Sequence, residues 1–249
     1  MKVLLLGGTS EARELAALLV DTEIDAVSSL AGRVERPRLP AGEVRIGGFG
    51  GVDGLRSWLC EEAVEAVVDA THPFAGGMTA NAVAACAAEG LPLLRLARPG
   101  WAGEPGSDAW HWVDDHDEAA ELAARLGGRP LLTVGRQPLD RFVGPLAGHR
   151  AVARVVDPPT IEVPDPWTVL LDRGPYTLAG ELELLGEHAV DVLVTKDSGG
   201  TYTWPKMQAA GQLGVPVVVV RRRGARPDGS DPVESVPDAA GALRWLRGE

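Results

Sequence analysis

The first nineteen residues, MKVLLLGGTSEARELAALL, constrain this chain more than any other stretch. Val3–Leu6 is a short apolar run, Gly7-Gly8-Thr9-Ser10 follows at once, and Ala12, Leu15, Ala16 and Leu19 recur at helical spacing. Strand, glycine turn and helix in that order make the opening unit of a nucleotide-binding βαβ fold. Such a turn needs small residues where the chain bends sharply and where backbone N–H groups approach a phosphate at the helix N-terminus. Ser10 is the expected N-cap, with Thr9 as the alternative, and Glu11 complements the positive end of the helix dipole. Counted from Gly7 against G-x-G-x-x-G, the second glycine position holds Thr9 and the third holds Ala12, which the looser pattern admits. A turn of this kind can also close a βα unit without binding anything. Its place at the start of the chain, where the first βα turn belongs, favours the phosphate reading.

At 249 residues the chain can form one large domain or two of ordinary size. Hydrophobic content of 45% and charged content of 24% fit a soluble globular protein. Lys2 is followed by only four apolar residues before the glycines, so no secretory leader is expected. No apolar run approaches the roughly 20 residues a membrane helix needs. Cys60 and Cys86 lie in helix-like stretches without a C-x-x-C pattern, which predicts two buried thiols in a reducing cytoplasm. The net charge of −11 argues against nucleic acid or an anionic membrane as the main partner, while leaving a small acidic ligand open. The 31 glycines and 19 prolines fall mostly between apolar runs, as turn punctuation, and no internal repeat is visible.

Further along, the strand-turn-helix rhythm continues. Ile24–Ser29 reads as the second strand, followed by Leu30-Ala31-Gly32-Arg33. In a dinucleotide fold the end of this strand faces the adenosine ribose, where an acid binds a free 2′-hydroxyl and an Arg accommodates a 2′-phosphate. Ser28, Ser29 and Arg33 without a carboxylate favour NADP over NAD, although Arg33 can also be a solvated loop cation. Val44–Ile46 precedes Gly47-Gly48-Phe49-Gly50-Gly51, a loop that either lies close against a flat group or is simply flexible. Val64–Ala70 is a buried parallel strand running into Thr71-His72-Pro73, where open α/β sheets place ligands. His72 is therefore either a structural histidine or a functional one. Residues 98–112 change character and carry Trp101, Trp110 and Trp112, aromatic faces that either stack on a ligand or pack a crossing segment. A helix over Glu118–Leu126 and the break Gly127-Gly128-Arg129-Pro130 place the domain boundary near 127, giving domains 1–127 and 128–249.

In the second half, strands end in turn after turn of polar, glycine or proline residues: Gly135-Arg136 after Leu131–Val134, Asp157 after Ala151–Val156, Arg173 after Thr168–Asp172, and Lys196 to Gly200 after Val190–Thr195. Val215–Val220 is the last apolar strand, Arg221-Arg222-Arg223 reads as a solvated exit, and a helix over Ala239–Leu246 closes the chain. No G-x-S-x-G elbow, H-E-x-x-H or P-loop supports a hydrolase, zincin or NTPase, and no metal-ligand set is expected.

The sequence resembles the precorrin-6A reductase family of cobalamin (corrin) biosynthesis over nearly its whole length. The resemblance rests on LLLGGTSEAREL at 4–15, SLAGR at 29–33, RIGGFGG at 45–51 and VVDATHPFA at 67–75. In the second half TVGRQ at 133–137, RVVDPP at 154–159, DRGPY at 172–176 and TKDSGG at 195–200 continue it. It implies an α/β protein of two Rossmann-like domains with parallel sheets and a cleft between them. It also implies a cytoplasmic, NADPH-dependent reductase that converts precorrin-6A to precorrin-6B by reducing one macrocycle double bond. Carried over by position, Gly7, Gly8, Thr9, Ser10, Glu11, Ser29 and Arg33 fall on the phosphate and ribose side of the cofactor, and Thr71, His72 and Pro73 near the nicotinamide. Gly135, Arg136, Asp157, Arg173, Lys196 and Ser198 face the tetrapyrrole. Asp157 is the first candidate for the proton donor, His72 the second and solvent the third. Asp197 stands where the family often has Asn, and Thr201–Pro205 looks bulkier than usual. The expected partner is the tetrapyrrole, with transient contacts to neighbouring pathway enzymes and none to nucleic acid or membrane. The cobalt-loaded counterpart reaction and a non-catalytic dinucleotide sensor are the alternatives.

Overall fold

A computed structural model describes residues 1–32, 34–222 and 233–249. The chain forms two units, Met1–Pro99 with Arg223–Glu249, and Gly100–Arg222. Unit 1 begins with β1 (Lys2–Leu6), α1 (Ser10–Leu19), β2 (Asp25–Leu30), β3 (Glu43–Ile46), α2 (Gly51–Glu61), β4 (Ala66–Asp69), α3 (Gly76–Glu89) and β5 (Leu93–Leu96). Unit 2 follows with β6 (His111–Val113), α4 (His116–Leu126), β7 (Pro130–Leu132), α5 (Asp140–Val143), β8 (Val152–Val155), β9 (Thr168–Leu171), α6 (Leu178–Glu187), β10 (Val192–Lys196), α7 (Pro205–Leu213) and β11 (Val217–Val220). The chain then returns to unit 1 for β12 (Ser235–Val236) and α8 (Ala239–Arg247).

Among the described residues every strand pairing is parallel. The sheet of unit 1 runs β3-β2-β1-β4-β5-β12 and that of unit 2 runs β9-β8-β7-β10-β11-β6. Both are the doubly wound order 3-2-1-4-5-6 of a dinucleotide-binding fold. They differ in where the sixth strand comes from. In unit 1 the C-terminal β12 supplies it, and in unit 2 it is β6, which precedes the other five.

Burial on both faces explains why these strands read as continuous apolar runs. Val3 and Leu5 of β1 pack with Leu15 and Leu19 of α1 and with Ala242 and Leu246 of α8. Leu4 and Leu6, pointing the other way, pack with Leu55 and Leu59 of α2 and Ala82 and Ala85 of α3. In unit 2, Leu131, Leu193 and Val219 meet Leu185 of α6 and Met207 and Ala210 of α7. Among the described residues no helix is long and apolar enough to cross a membrane.

Several expectations change. The boundary at 127 falls inside unit 2, because β6 pairs with β11 and α4 packs on β10 and β11. Residues beyond 233 do not belong with the second half, since β12 pairs with β5 and α8 packs on α1. The break at Gly127–Pro130 is only the short loop from α4 into Pro130, the first residue of β7. Thr9, not Ser10, caps α1. Cys86 is buried but Cys60 is exposed, its thiol donating to Glu89 Oε2 at 3.3 Å. The tryptophans of residues 98–112 are packing residues: Trp101 is 2% exposed, and Trp110 and Trp112 pack against the same core beside Trp204. Arg221 and Arg222 are not bare solvated cations, for Arg221 pairs with Asp114 at 3.5 Å and Arg222 with Asp197 at 3.3 Å. Arg223 lies outside the described residues.

Candidate functional site

In a doubly wound sheet, ligands settle beyond the carboxyl ends of the strands where the winding reverses. In unit 1 that point lies between β1 and β4, and the turns after these strands are Gly7–Thr9 and Ala70–Ala75. Gly7 N–H donates to Ser29 O at 2.9 Å, fixing the exit from β1. Gly8 has φ +118°, which an L side chain rarely adopts, and nothing lies within 4 Å of where its Cβ would be. Thr9 Oγ1 accepts from Ala12 N–H at 3.1 Å and donates to Ala70 O at 2.9 Å, tying the two turns together. After β4, the Thr71 N–H and hydroxyl both donate to Asp69 Oδ1, at 3.0 and 2.7 Å. The other Asp69 oxygen accepts from Arg95, which also bonds Thr79. Asp69 is 1% exposed, so this buried ion pair fixes the turn rather than meeting a ligand.

His72 Nδ1 accepts the Phe74 N–H at 3.2 Å. In neutral imidazole that bond places the ring proton on Nε2, leaving a hydrogen-bond donor on the far nitrogen. Glu11 accepts from the Ser10 hydroxyl at 3.1 Å and from Arg98 at 2.5 Å. Thr9, Glu11, Thr71, Pro73 and Arg98 line one recess at the switch point. The first-turn N–H groups of Ser10 and Glu11 have no intrahelical acceptor, and the helix dipole is positive there. Bare backbone at Gly8 beside such N–H groups is a donor set for an anion, so these residues fit a dinucleotide pyrophosphate.

At the end of β2, Ser29 Oγ accepts from Arg45 Nη1 at 3.2 Å. Arg45 also donates to Gly47 O at 2.7 Å and Gly48 O at 2.9 Å, and its guanidinium lies 3.7 Å from the Phe49 ring centroid. RIGGFGG is thus a loop folded around its own arginine. Arg33 lies outside the described residues. Sequence reasoning passed over Arg45, Asp69 and Arg95; an arginine or aspartate inside an apolar strand was the available clue.

In unit 2 the switch point lies between β7 and β10. Lys196 ends β10, and its Nζ is 3.8 Å from where a Gly135 Cβ would stand, so the turns after β7 and β10 meet. Burial pushes the Lys196 ammonium down to about 8. Arg136, after β7, holds Nη1 4.0 Å from Asp157 Oδ2 and 3.4 Å from Pro158 O, after the neighbouring β8. Ser198 is buried, its N–H on Lys196 O at 2.6 Å. Gly135, Arg136, Asp157, Lys196 and Ser198 therefore gather at this edge. Arg173 sits on the same edge but after β9, two strands from β7, with its N–H on Asp172 Oδ1 at 2.7 Å.

Asp197 has a different task. It accepts the Trp101 N–H at 2.9 Å, and Arg222 Nε donates to its backbone oxygen at 2.9 Å and lies 3.3 Å from its carboxylate. A Cβ on Gly100 would stand 2.5 Å from Asp197 Oδ2. The carboxylate thus fastens both places where the chain enters and leaves unit 2, and its pairing with Arg222 uses the charge an Asn would lack.

The family description "Precorrin-6x reductase CbiJ/CobK" matches residues 2–247. A precorrin-6A reductase of Rhodococcus erythropolis is 50% identical over 246 residues, covering 98% of this chain and 97% of that one. A precorrin-6A reductase of Mycobacterium tuberculosis (strain ATCC 25618 / H37Rv) is 48% identical over 249 residues, covering 99% and 98%. The solved structure of a CobK precorrin-6A reductase superposes with a TM-score of 0.89 at 38% identity, covering 100% of this chain and 96% of that one. With its two doubly wound sheets, the chain belongs to the precorrin-6x reductase CbiJ/CobK family of oxidoreductases, enzymes that work with a nicotinamide cofactor.

Proposed function

We propose that this enzyme uses NADPH to reduce one macrocycle double bond of precorrin-6A, giving precorrin-6B, in the cytoplasm and in transient contact with neighbouring enzymes of corrin synthesis. The observation that carries the reading is the switch point of unit 1, where Thr9 and Glu11 at the start of α1 line one recess with Thr71 and Pro73, next in sequence to the bare Gly7-Gly8 turn. Gly7, Gly8, Thr9, Ser10 and Glu11 hold the pyrophosphate through backbone N–H groups and hydroxyls. Ser29 and Arg33 take the adenosine ribose with its 2′-phosphate, where the end of β2 offers no carboxylate. Thr71, His72 and Pro73 border the nicotinamide. When bound, NADPH supplies the hydride.

The residues of unit 2 have the complementary work. Precorrins carry acetate and propionate carboxylates, and a protein of net charge −11 holds one only by gathering cations locally. Arg136, Arg173 and Lys196 supply them, with Gly135 and Ser198 letting backbone approach the ring. Asp157 is assigned to deliver the proton to the carbon next to the one reduced, with His72 in second place and solvent in third. The names of the relatives favour the metal-free macrocycle over its cobalt-loaded counterpart.

The test is anaerobic single-turnover reduction of precorrin-6A with NADPH, followed by mass. A gain of two hydrogens is expected; cofactor binding without turnover makes the protein a sensor and ends the enzymatic reading. In the same assay Asp157→Asn slows the chemical step by about 10²–10⁴-fold. A change within about threefold removes Asp157 as the donor.

A further inference from the structure

Lys206 stands in conflict with its surroundings. It is 3% exposed, and it lies in the first turn of α7, where the helix dipole already disfavours a cation. Among the described residues its Nζ meets no hydrogen-bond acceptor, and it lies 5.3 Å from the centroid of the Trp101 ring. The charged groups facing it are Arg154 on β8, Lys196 at the end of β10 and Glu181 in the first turn of α6. Glu181 is the one carboxylate among them. Glu181 is already committed to Arg154 through Oε1 at 2.7 Å, while Glu181 Oε2 and Arg154 Nη2 are buried without a partner among the described residues. Tyr176 closes the far side, with the Arg154 guanidinium 3.9 Å from its ring centroid. Burial, then repulsion from Arg154, pushes the Lys206 ammonium down to about 7; Glu181 opposes this, and Lys196 adds to the fall.

An unpaired buried cation is costly, and an apolar side chain of similar length would suit α7 better. Local rules broken together mark places kept for a ligand. The position agrees: Arg154, Lys196 and the first turns of α6 and α7 all lie at the carboxyl end of the second sheet, and Lys196 adjoins Gly135 at its switch point. What is missing is negative charge.

We propose that Lys206, with Arg154 and Lys196, forms a buried anion site that takes one peripheral carboxylate of the tetrapyrrole. This rests on the reading of unit 2 as the tetrapyrrole-binding unit. The carboxylate supplies the acceptor that Lys206 Nζ and Arg154 Nη2 lack among the described residues, and it reaches donors that a neutral edge group of the macrocycle would leave unsatisfied. A dinucleotide phosphate is the other oxyanion in the reaction, and the test separates the two.

The experiment measures binding of precorrin-6A under anaerobic conditions, binding of NADPH, and thermal unfolding of the ligand-free protein. It compares the unaltered enzyme with Lys206→Met and Lys206→Arg. Lys206→Met is expected to weaken precorrin-6A binding by about 10–100-fold while NADPH binding stays within about twofold. The ligand-free Met variant should melt at or above the unaltered enzyme, because the unpaired cation is gone. Lys206→Arg, which keeps the charge, should stay within about threefold for precorrin-6A. Precorrin-6A binding by the Met variant within about twofold of the unaltered enzyme overturns the proposal. So does equal loss in both variants, or a loss that falls on NADPH. If the unaltered enzyme binds NADPH but takes up no precorrin-6A, the tetrapyrrole reading fails first and the anion site fails with it.

Discussion

The two acidic ligands proposed for this protein put the weight of recognition on single charged residues. If Arg33 pairs with the 2′-phosphate, Arg33→Ala removes a charge-assisted contact. NADPH affinity should then fall by about 1.5–3 kcal/mol with NADH affinity nearly unchanged, which titration of both cofactors checks. Equal loss for both would dismiss the assignment. The two buried lysines predict a pH effect on stability. Both have folded values below the 10.5 of an unburied lysine, at about 7 for Lys206 and about 8 for Lys196. Between those values and 10.5 the unfolded chain binds protons that the folded one does not, so stability rises with pH from about 7 towards 10. The slope cannot exceed about 1.4 kcal/mol per pH unit for each lysine. Urea unfolding between pH 7 and 9 should show the rise, and Lys206→Met should flatten most of it. The strand-end cations were legible in the sequence because they follow apolar runs directly. Lys206 was not, since a lysine at the start of a helical stretch reads as solvated until its burial is known.

Elements carry the next level of meaning. The turn after β1 works because Gly8 takes a backbone conformation that costs an L residue roughly 1–2 kcal/mol. Gly8→Ala should destabilise the protein by about that much and weaken the dinucleotide more than the tetrapyrrole. Urea unfolding paired with the two binding measurements checks it, and equal weakening of both ligands would count against a phosphate role for the turn. Ten of the twelve strands among the described residues were visible as short runs rich in apolar side chains, most plainly where a parallel strand is covered on both faces. The two that escaped are the shortest edge strands. His111–Val113 hid inside a Trp-rich segment, and Ser235–Val236 has only two residues. At an edge the backbone pairing of one neighbour suffices, and no sustained apolar pattern is needed. Missing those two strands is also what misplaced the domain boundary, since they are the pieces that show which sheet each flanking segment joins.

For the whole molecule, cutting between 127 and 128 should leave neither piece folded. The first piece lacks β12 and α8, baring Leu15, Leu19 and Leu94, and the second lacks β6 and α4. Far-UV and near-UV circular dichroism of the two pieces would show it, and two independently folded pieces would refute the assignment of the sixth strands. The borrowed sixth strand has a consequence for the order of assembly as well. Unit 2 is one uninterrupted stretch, 100–222, whereas unit 1 is divided between the two ends of the chain. During synthesis the unit begun first is therefore the one finished last. Its five-stranded portion must wait with an open edge on β5 until β12 and α8 leave the ribosome, while unit 2 already has every strand it needs. A fragment spanning 100–222 should fold by itself, and one spanning 1–99 should aggregate unless a peptide of residues 233–249 is supplied alongside it. Stalled ribosome complexes probed by limited proteolysis would show protection of unit 2 before unit 1, the reverse of the order in which they are written.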